Sequence, residues 1–170
     1  DTTLSLGYCY NADNDDEIYG TAVPAVGFDF FQGPIVPSPG DTAHVSGRAV
    51  PGYRNLPMTS FNKYINGTDP GSPVNSYNYM QGFDPDGNDI TDPISGRVTK
   101  FFVAGDPVTN SGWLDDNPAD RRLMLSSGPF TMAPGDTQEV VAGIIIAQGS
   151  DRLSSISLLK QYDEQAQAVF

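Results

Sequence analysis

Asp13, Asp15 and Glu17 alternate in a short polar stretch, with Asn11 and Asp16 beside them. A hard cation such as calcium takes about six to eight oxygen ligands, and acidic side chains at this spacing supply them from one loop. A second cluster, Asp84, Asp86, Asn88 and Asp89 around Gly87, opens like a helix-loop-helix calcium loop. It departs from that pattern at its sixth position, where Asp89 replaces glycine, and at its twelfth, where Ser95 replaces a bidentate Glu. The expectation is therefore calcium at the first loop and at an irregular second loop. The competing reading is that Asp and Asn simply populate solvated turns.

Aromatic residues suggest a different chemistry. Trp113 is the only tryptophan and sits in a polar stretch beside Asp115, Asp116 and Asn117. An exposed loop ring can stack on a sugar while carboxylates accept its hydroxyl hydrogens, and Tyr77 and Tyr79 would extend such a platform. Against this, a large aromatic is on average mostly buried, which makes Trp113 a lid on the core and places Tyr77 and Met80 among packing residues. Nucleophilic catalysis would have to use Cys9 or a serine with the sole histidine, His44. No Gly-x-Ser-x-Gly elbow and no phosphate-cradling glycine loop occurs. Paired glycosidase-type carboxylates have 21 candidates and no spacing that singles out two. Asn66-Gly67-Thr68 matches an N-glycosylation acceptor.

These groups need elements to hold them. Leu4, Leu6, Tyr8 and Tyr10 alternate over Thr3 to Asn11, which predicts a half-buried strand with Cys9 on its other face. Val26, Phe28 and Phe30 predict a second strand, and a third follows Pro39-Gly40 and carries Val45. Further strands are expected around Thr59 to Ile65, over Arg97 to Val103, Arg122 to Leu125, and Thr137 to Ala147. The last carries a β-branched run that reads as buried on both faces. Ser72-Pro73 predicts a capped helix ending at Gly82, with Val74, Tyr77 and Met80 at helical spacing. Asp151 predicts the cap of a longer helix with the stripe Leu153, Ile156, Leu159, Tyr162, Ala166 and Val169. That stripe is expected to cover a face or an edge of the sheet. Asp163 and Glu164 are expected to pair with Lys160 at the surface.

One pattern occurs twice, offset by 95 residues: Gly33-Pro34 leads to Pro39-Gly40-Asp41-Thr42 and Val45, and Gly128-Pro129 to Pro134-Gly135-Asp136-Thr137 and Val140. Either two similar hairpins, 28–45 and 123–140, sit in the two halves of one sandwich, or Pro-Gly-Asp-Thr is a common way into a strand. In both cases Asp41 and Asp136 are structural.

The chain has 170 residues, 21 acidic and 9 basic, for a net charge of −12. A nucleic-acid partner is disfavoured, since a phosphate backbone needs clustered cations. The longest apolar run, Val140 to Ala147, has eight residues, against the roughly 20 that a helical span needs. One cysteine excludes an internal disulfide, and one Cys with one His cannot build a zinc cluster. The expected fold is mainly β: a β-sandwich-like domain of antiparallel strands over residues 1–170, with a short internal helix and a C-terminal helix.

Asp1-Thr-Thr-Leu-Ser-Leu-Gly-Tyr-Cys-Tyr-Asn-Ala-Asp-Asn-Asp-Asp, Ala25-Val-Gly-Phe-Asp-Phe-Phe-Gln-Gly-Pro-Ile-Val-Pro-Ser-Pro-Gly-Asp, Tyr77-Asn-Tyr-Met-Gln-Gly, Gly105-Asp-Pro-Val-Thr and Gly128-Pro-Phe-Thr-Met-Ala-Pro-Gly-Asp-Thr-Gln-Glu-Val-Val together resemble a family of large exported proteins. These come from Bacteroidetes- and Ignavibacteria-type bacteria and often end in a C-terminal secretion-sorting domain. The resemblance spans essentially the whole chain and implies the latter part of a longer N-terminal module. It implies a β-rich fold, secretion or display at the cell surface, and other domains of the same polypeptide as partners. It carries over no catalytic residue. The expected function is thus a non-catalytic structural or adhesive module, calcium-stabilised; a carbohydrate-binding module using Trp113, Tyr77 and Tyr79 on a polysaccharide is the alternative, and a hydrolase the third.

Overall fold

The computed structural model describes residues 1–65 and 67–170; the Asn66 sequon position lies outside them. In chain order the elements are β1 (Leu6–Tyr10), β2 (Ala25–Gln32), β3 (Ile35–Val45), β4 (Arg48–Asn55), β5 (Ser60–Ile65), α1 (Pro73–Met80), β6 (Ile90–Thr91), β7 (Val98–Thr99), β8 (Arg121–Ser126), β9 (Val141–Ala147) and α2 (Arg152–Val169). The fold is mainly β, as expected, and every strand pair is antiparallel. The central sheet has the order β1-β2-β9, while β3-β4, β5-β8 and β6-β7 form two-stranded sheets.

Alternation along β1 and β2 gives the central sheet two different faces. Leu6 pairs opposite Asp29 and Tyr10 opposite Ala25, while Ala25 pairs opposite Ala147 and Gly27 opposite Ile145. This set faces α2, and Leu6, Ala25, Ile145, Ala147, Ile156 and Leu159 form the buried apolar cluster. The opposite face packs β1 against β5-β8. Gly7 marks the closest approach, since a Cβ there would lie 2.7 Å from the Phe61 ring and 2.8 Å from Leu125. The result is sandwich-like, with α2 as an outer layer. On the far side of β5, Asn62 donates from Nδ2 to the Tyr79 carbonyl (2.7 Å) and Ser60 from Oγ to the Met80 carbonyl (2.7 Å), which fixes α1.

Both helices start where their caps require. The Ser72 hydroxyl accepts from the Asn75 amide with Pro73 in the first turn, and Asp151 accepts from Leu153 and Ser154 in a capping box. The apolar stripe of α2 holds only through Leu159. Tyr162 is 42% exposed and Val169 88%, whereas Asp163 is fully buried. The helix thus buries Ile156, Leu159 and then a carboxylate. Lys160 pairs with Asp1 (3.2 Å) and Asp106 (3.3 Å), replacing the expected surface pairing along α2.

The buried carboxylate meets a second one. Gln167 donates from Nε2 to Asp29 Oδ2 (2.8 Å), Asp163 Oδ2 (3.3 Å) and the Leu4 carbonyl (2.9 Å). The remaining oxygens, Asp29 Oδ1 and Asp163 Oδ1, are buried without a hydrogen-bond partner among the described residues. Burial, then the nearby Asp29 and Glu164, push the Asp163 carboxyl up to about 7 against the opposing pull of the N-terminal amine. Burial likewise raises Asp29. Two carboxylates in a low-dielectric layer disfavour double ionisation, so the pair retains a proton into the neutral range.

Two strand expectations change, and a further strand, β4, was not expected. β9 is an edge strand buried on one face only: Ile145 and Ala147 lie in the core, while Ile144 is 69% and Ile146 66% exposed. The Arg97 to Val103 segment contributes only the two residues of β7. β4, whose Pro51, Gly52 and scattered charges hide its period, pairs with β3 across an irregularity between Pro37 and Thr42. The internal echo survives only as a turn. Gly40 (φ +98°) and Gly135 (φ +95°) adopt the same positive-φ conformation, as a Pro-Gly turn of type II requires. The first copy is embedded in β3, but residues 127–140 form no strand. The two segments lie side by side, joined where Gln138 exchanges hydrogen bonds with the Ile35 backbone (2.9 and 3.0 Å).

Two outcomes follow from the α2 layer. Leu159→Ala is expected to cost about 2–5 kcal/mol in urea unfolding, the range for a buried leucine, while Val169→Ala stays within about 0.5 kcal/mol. Asp163 has a raised folded-state value, so its contribution is fully present below the ordinary carboxylate value and is lost as pH rises through about 7. The Tm measured from pH 5 to pH 8 should therefore fall, and Asp163→Asn should flatten that dependence.

Candidate functional site

An open cleft of about 630 Å3 runs beside β1. One wall is the strand from Leu6 to Tyr10; the floor comes from Phe61 and Lys63 of β5 and Arg121 to Leu123 of β8; the far wall is the segment 101–120, with Arg152 at one end. Its volume lies in the roughly 300–1,000 Å3 range of ligand sites.

The far wall is irregular yet well anchored. Asp106 and Ser111 exchange backbone hydrogen bonds (2.8 and 3.1 Å), and the Gly105 amide donates to the Trp113 carbonyl (2.8 Å). Val103 (φ +47°) and Asn110 (φ +51°) take the left-handed conformation that such a tight loop imposes. Trp113 packs its ring on Phe102 at 4.5 Å between centroids. Lys160, bridging Asp1 and Asp106, ties this wall to α2 and to the start of β1.

Asp115 organises the floor. Its carboxylate accepts from Lys63 Nζ (2.5 Å) and takes a bidentate pair from Arg121 Nε (2.7 Å) and Nη2 (2.8 Å). Burial alone would push this carboxyl up, but the hydrogen bonds and charges of Arg121 and Lys63 outweigh it and hold it below the usual range. Asp115 is thus a fixed anion near neutrality and moves no proton there. Burial raises the Cys9 thiol, which keeps it protonated and poorly nucleophilic. His44 lies on β3, in a different sheet from Cys9 on β1, and its backbone is clasped by the Asn55 side chain.

The expected site residues fall in other places. Tyr79 is buried and stacks on Tyr64 at 5.5 Å, while Tyr77, two residues along α1, is 58% exposed. Opposite faces of one helix cannot present both rings to one sugar. Trp113 is half-buried against Phe102, so the structure does not assemble these three residues into one platform. In the first acidic loop Asp16 accepts from the Ile18 and Tyr19 amides (2.8 and 2.9 Å), and Asp13 from the Asp15 amide (3.2 Å). In the second, Asp84 accepts from the Asp86 and Asn88 amides and from Asn88 Nδ2 (2.9, 2.8 and 2.9 Å); Asp86 and Asp89 do not converge on it in a ligand set. Among the described residues no group of three or more His, Cys, Asp or Glu is placed to hold a metal ion.

Of the cleft residues, Tyr8 and Tyr10 lie on the strand that local alternation predicts, whereas Lys63, Arg121 and Arg152 have no local signature. Lys63 and Asp115 are 52 positions apart, and only the pairing of β5 with β8 brings Lys63 beside Arg121. No protein-family model, no curated protein and no solved structure matches this chain.

Asp115→Asn removes the charge that two half-buried cations share. Its expected cost is about 1–3 kcal/mol at pH 7, read by urea unfolding. Because the Asp115 carboxyl is depressed, its contribution is present above the ordinary carboxylate value and lost as pH falls through the folded value. The variant and the parent should therefore converge in stability on acidification.

Proposed function

We propose that this chain is a non-catalytic adhesive module of an exported bacterial protein, and that the cleft beside β1 is its recognition surface. The observation that carries the reading is Asp115, held as a fixed anion between Lys63 and Arg121 in an open cleft. A rigid, charged and aromatic-walled groove suits recognition of a polar partner, whereas proton transfer needs a group poised near the working pH. The acidic surface fits an exposed, soluble module, since like charge keeps copies apart. Export rests on the family resemblance of the five sequence stretches.

Antibody against this module should label intact bacteria that produce the full-length protein, without permeabilisation. Labelling only after permeabilisation overturns export. Beads coated with the module should retain those cells. Ala104→Trp, which fills an exposed position on the cleft wall, should abolish retention while leaving the Tm unchanged. Retention that survives this substitution overturns the cleft as the recognition surface.

A further inference from the structure

Past Leu159, α2 changes what holds it to the sheet. Its buried side chains are Ser155, Ile156, Leu159 and Asp163, so the half from 160 to 169 buries one side chain, and that one is a carboxylate. Asp29 of β2 is buried with it. Gln167 is the donor that the two carboxylates share, and its two amide hydrogens face three acceptors: Asp29 Oδ2 (2.8 Å), Asp163 Oδ2 (3.3 Å) and the Leu4 carbonyl (2.9 Å). The second oxygen of each carboxylate, Asp29 Oδ1 and Asp163 Oδ1, is buried with no donor among the described residues. One proton repairs this deficit, because a carboxyl group donates as well as accepts. A doubly ionised pair instead leaves two uncompensated charges out of water.

The surroundings supply little counter-charge in place of that proton. On α2 the charged neighbours are Lys160 and Glu164; Lys160 is engaged by Asp1 and Asp106, and Glu164 opposes ionisation of Asp163. β1 presents Tyr8, whose phenol is raised by burial and stays neutral, and β9 carries no titratable residue. The Asp1 amine favours ionised Asp163, but burial, then Lys160, lowers that amine to about 6, so its pull fades across the same range. Ile156 and Leu159, by contrast, anchor the first half of α2 by apolar packing, which carries no proton.

We propose that Asp29, Asp163 and Gln167 form a proton-operated latch: a proton held by the carboxyl pair keeps residues 160–169 on the sheet, and its loss releases that half of the helix while the first half stays docked. Release lifts Gln167 from Leu4 and Phe170 from the Phe31 ring on which it packs (5.8 Å between centroids), and so uncovers Leu4 and Phe31. The docked pair holds one proton that the released, solvated carboxylates have lost, from the ordinary carboxylate value up to about 7. Over that window each pH unit weakens docking about tenfold, and above it the dependence levels off.

Hydrogen exchange of the 15N-labelled full chain, divided by the intrinsic rate at each pH, reads the two halves of α2 separately. Amides 163–167 should lose about a hundredfold in protection between pH 5 and pH 7, while those of Ile156 to Leu159 keep theirs. In Asp163→Asn the side-chain amide is a permanent donor, and protection of amides 163–167 should no longer depend on pH. Asp29→Asn removes the like charge and supplies a donor from the sheet side. Asp163 should then ionise at lower pH, read by its 13C carboxyl shift, without loss of protection. Placing Gly-Ser ahead of Asp1 moves the amine away and should leave the loss of protection in place; its disappearance assigns the titration to the amine and overturns the latch. Equal loss in both halves of α2, pH-independent protection in the parent chain, or a parent-like loss in Asp163→Asn also overturns it.

Discussion

Everything in this fold is referred to one contact, the face of the β1-β2-β9 sheet against α2. That layer supplies the fully buried side chains Leu6, Ile156 and Leu159, and it continues into a polar end where Gln167 bridges Asp29 and Asp163. A buried carboxyl pair is a poor source of net stability, because desolvation offsets what its hydrogen bonds return. Its effect is geometric. Gln167 reaches the sheet and the Leu4 carbonyl at once, so α2 docks in one register, with Lys160 one turn before Asp163 turned toward Asp1 and Asp106. The same docking that closes the core therefore fixes both walls of the cleft: β1 through Leu6 and Asp1, and the far wall through Asp106.

The parts of the fold legible in the sequence are those written in local spacing. β1 alternates throughout and β2 as far as its irregularity at Phe30 to Gln32, and both helices carry their caps at the first residue of the pattern, Ser72 before Pro73 and Asp151 before Arg152. β4 was illegible because Pro51 and Gly52 interrupt it and its partner strand is itself irregular at Pro37 to Thr42. The β9 reading fails for a different reason. A β-branched run records a preference for pleated structure, and burial of either face depends on what packs there; β5-β8 covers β1 and leaves Ile144 and Ile146 open. Asp163 reads from the sequence as a surface partner of Lys160 because a carboxylate breaks an apolar stripe, although its spacing from Ile156 and Leu159 continues the buried face.

The acidic loops show why composition suggests more chemistry than it delivers. Asp16 accepts two backbone amides, and Asp84 accepts the Asn88 side-chain amide and two backbone amides, from within their own turns, which holds their carboxyls below the ordinary range. The same residue types at the same spacing serve a turn or an ion, and what separates them is whether the oxygens converge. The cleft shows the converse. Its organising anion, Asp115, stood in the sequence as one of several carboxylates beside Trp113, and its role appears only once β5 and β8 deliver two cations to it.

The two edges of the central sheet are exposed to different hazards. β9 presents apolar side chains beside an unpaired edge, an arrangement that invites edge-to-edge association of copies. A net charge of −12 opposes that approach by long-range repulsion, although no charge lies within β9 itself. The outer edge of β1 instead borders the cleft, whose far wall is tied down through Lys160. That contrast leaves β9 as the edge that the acidic surface must protect.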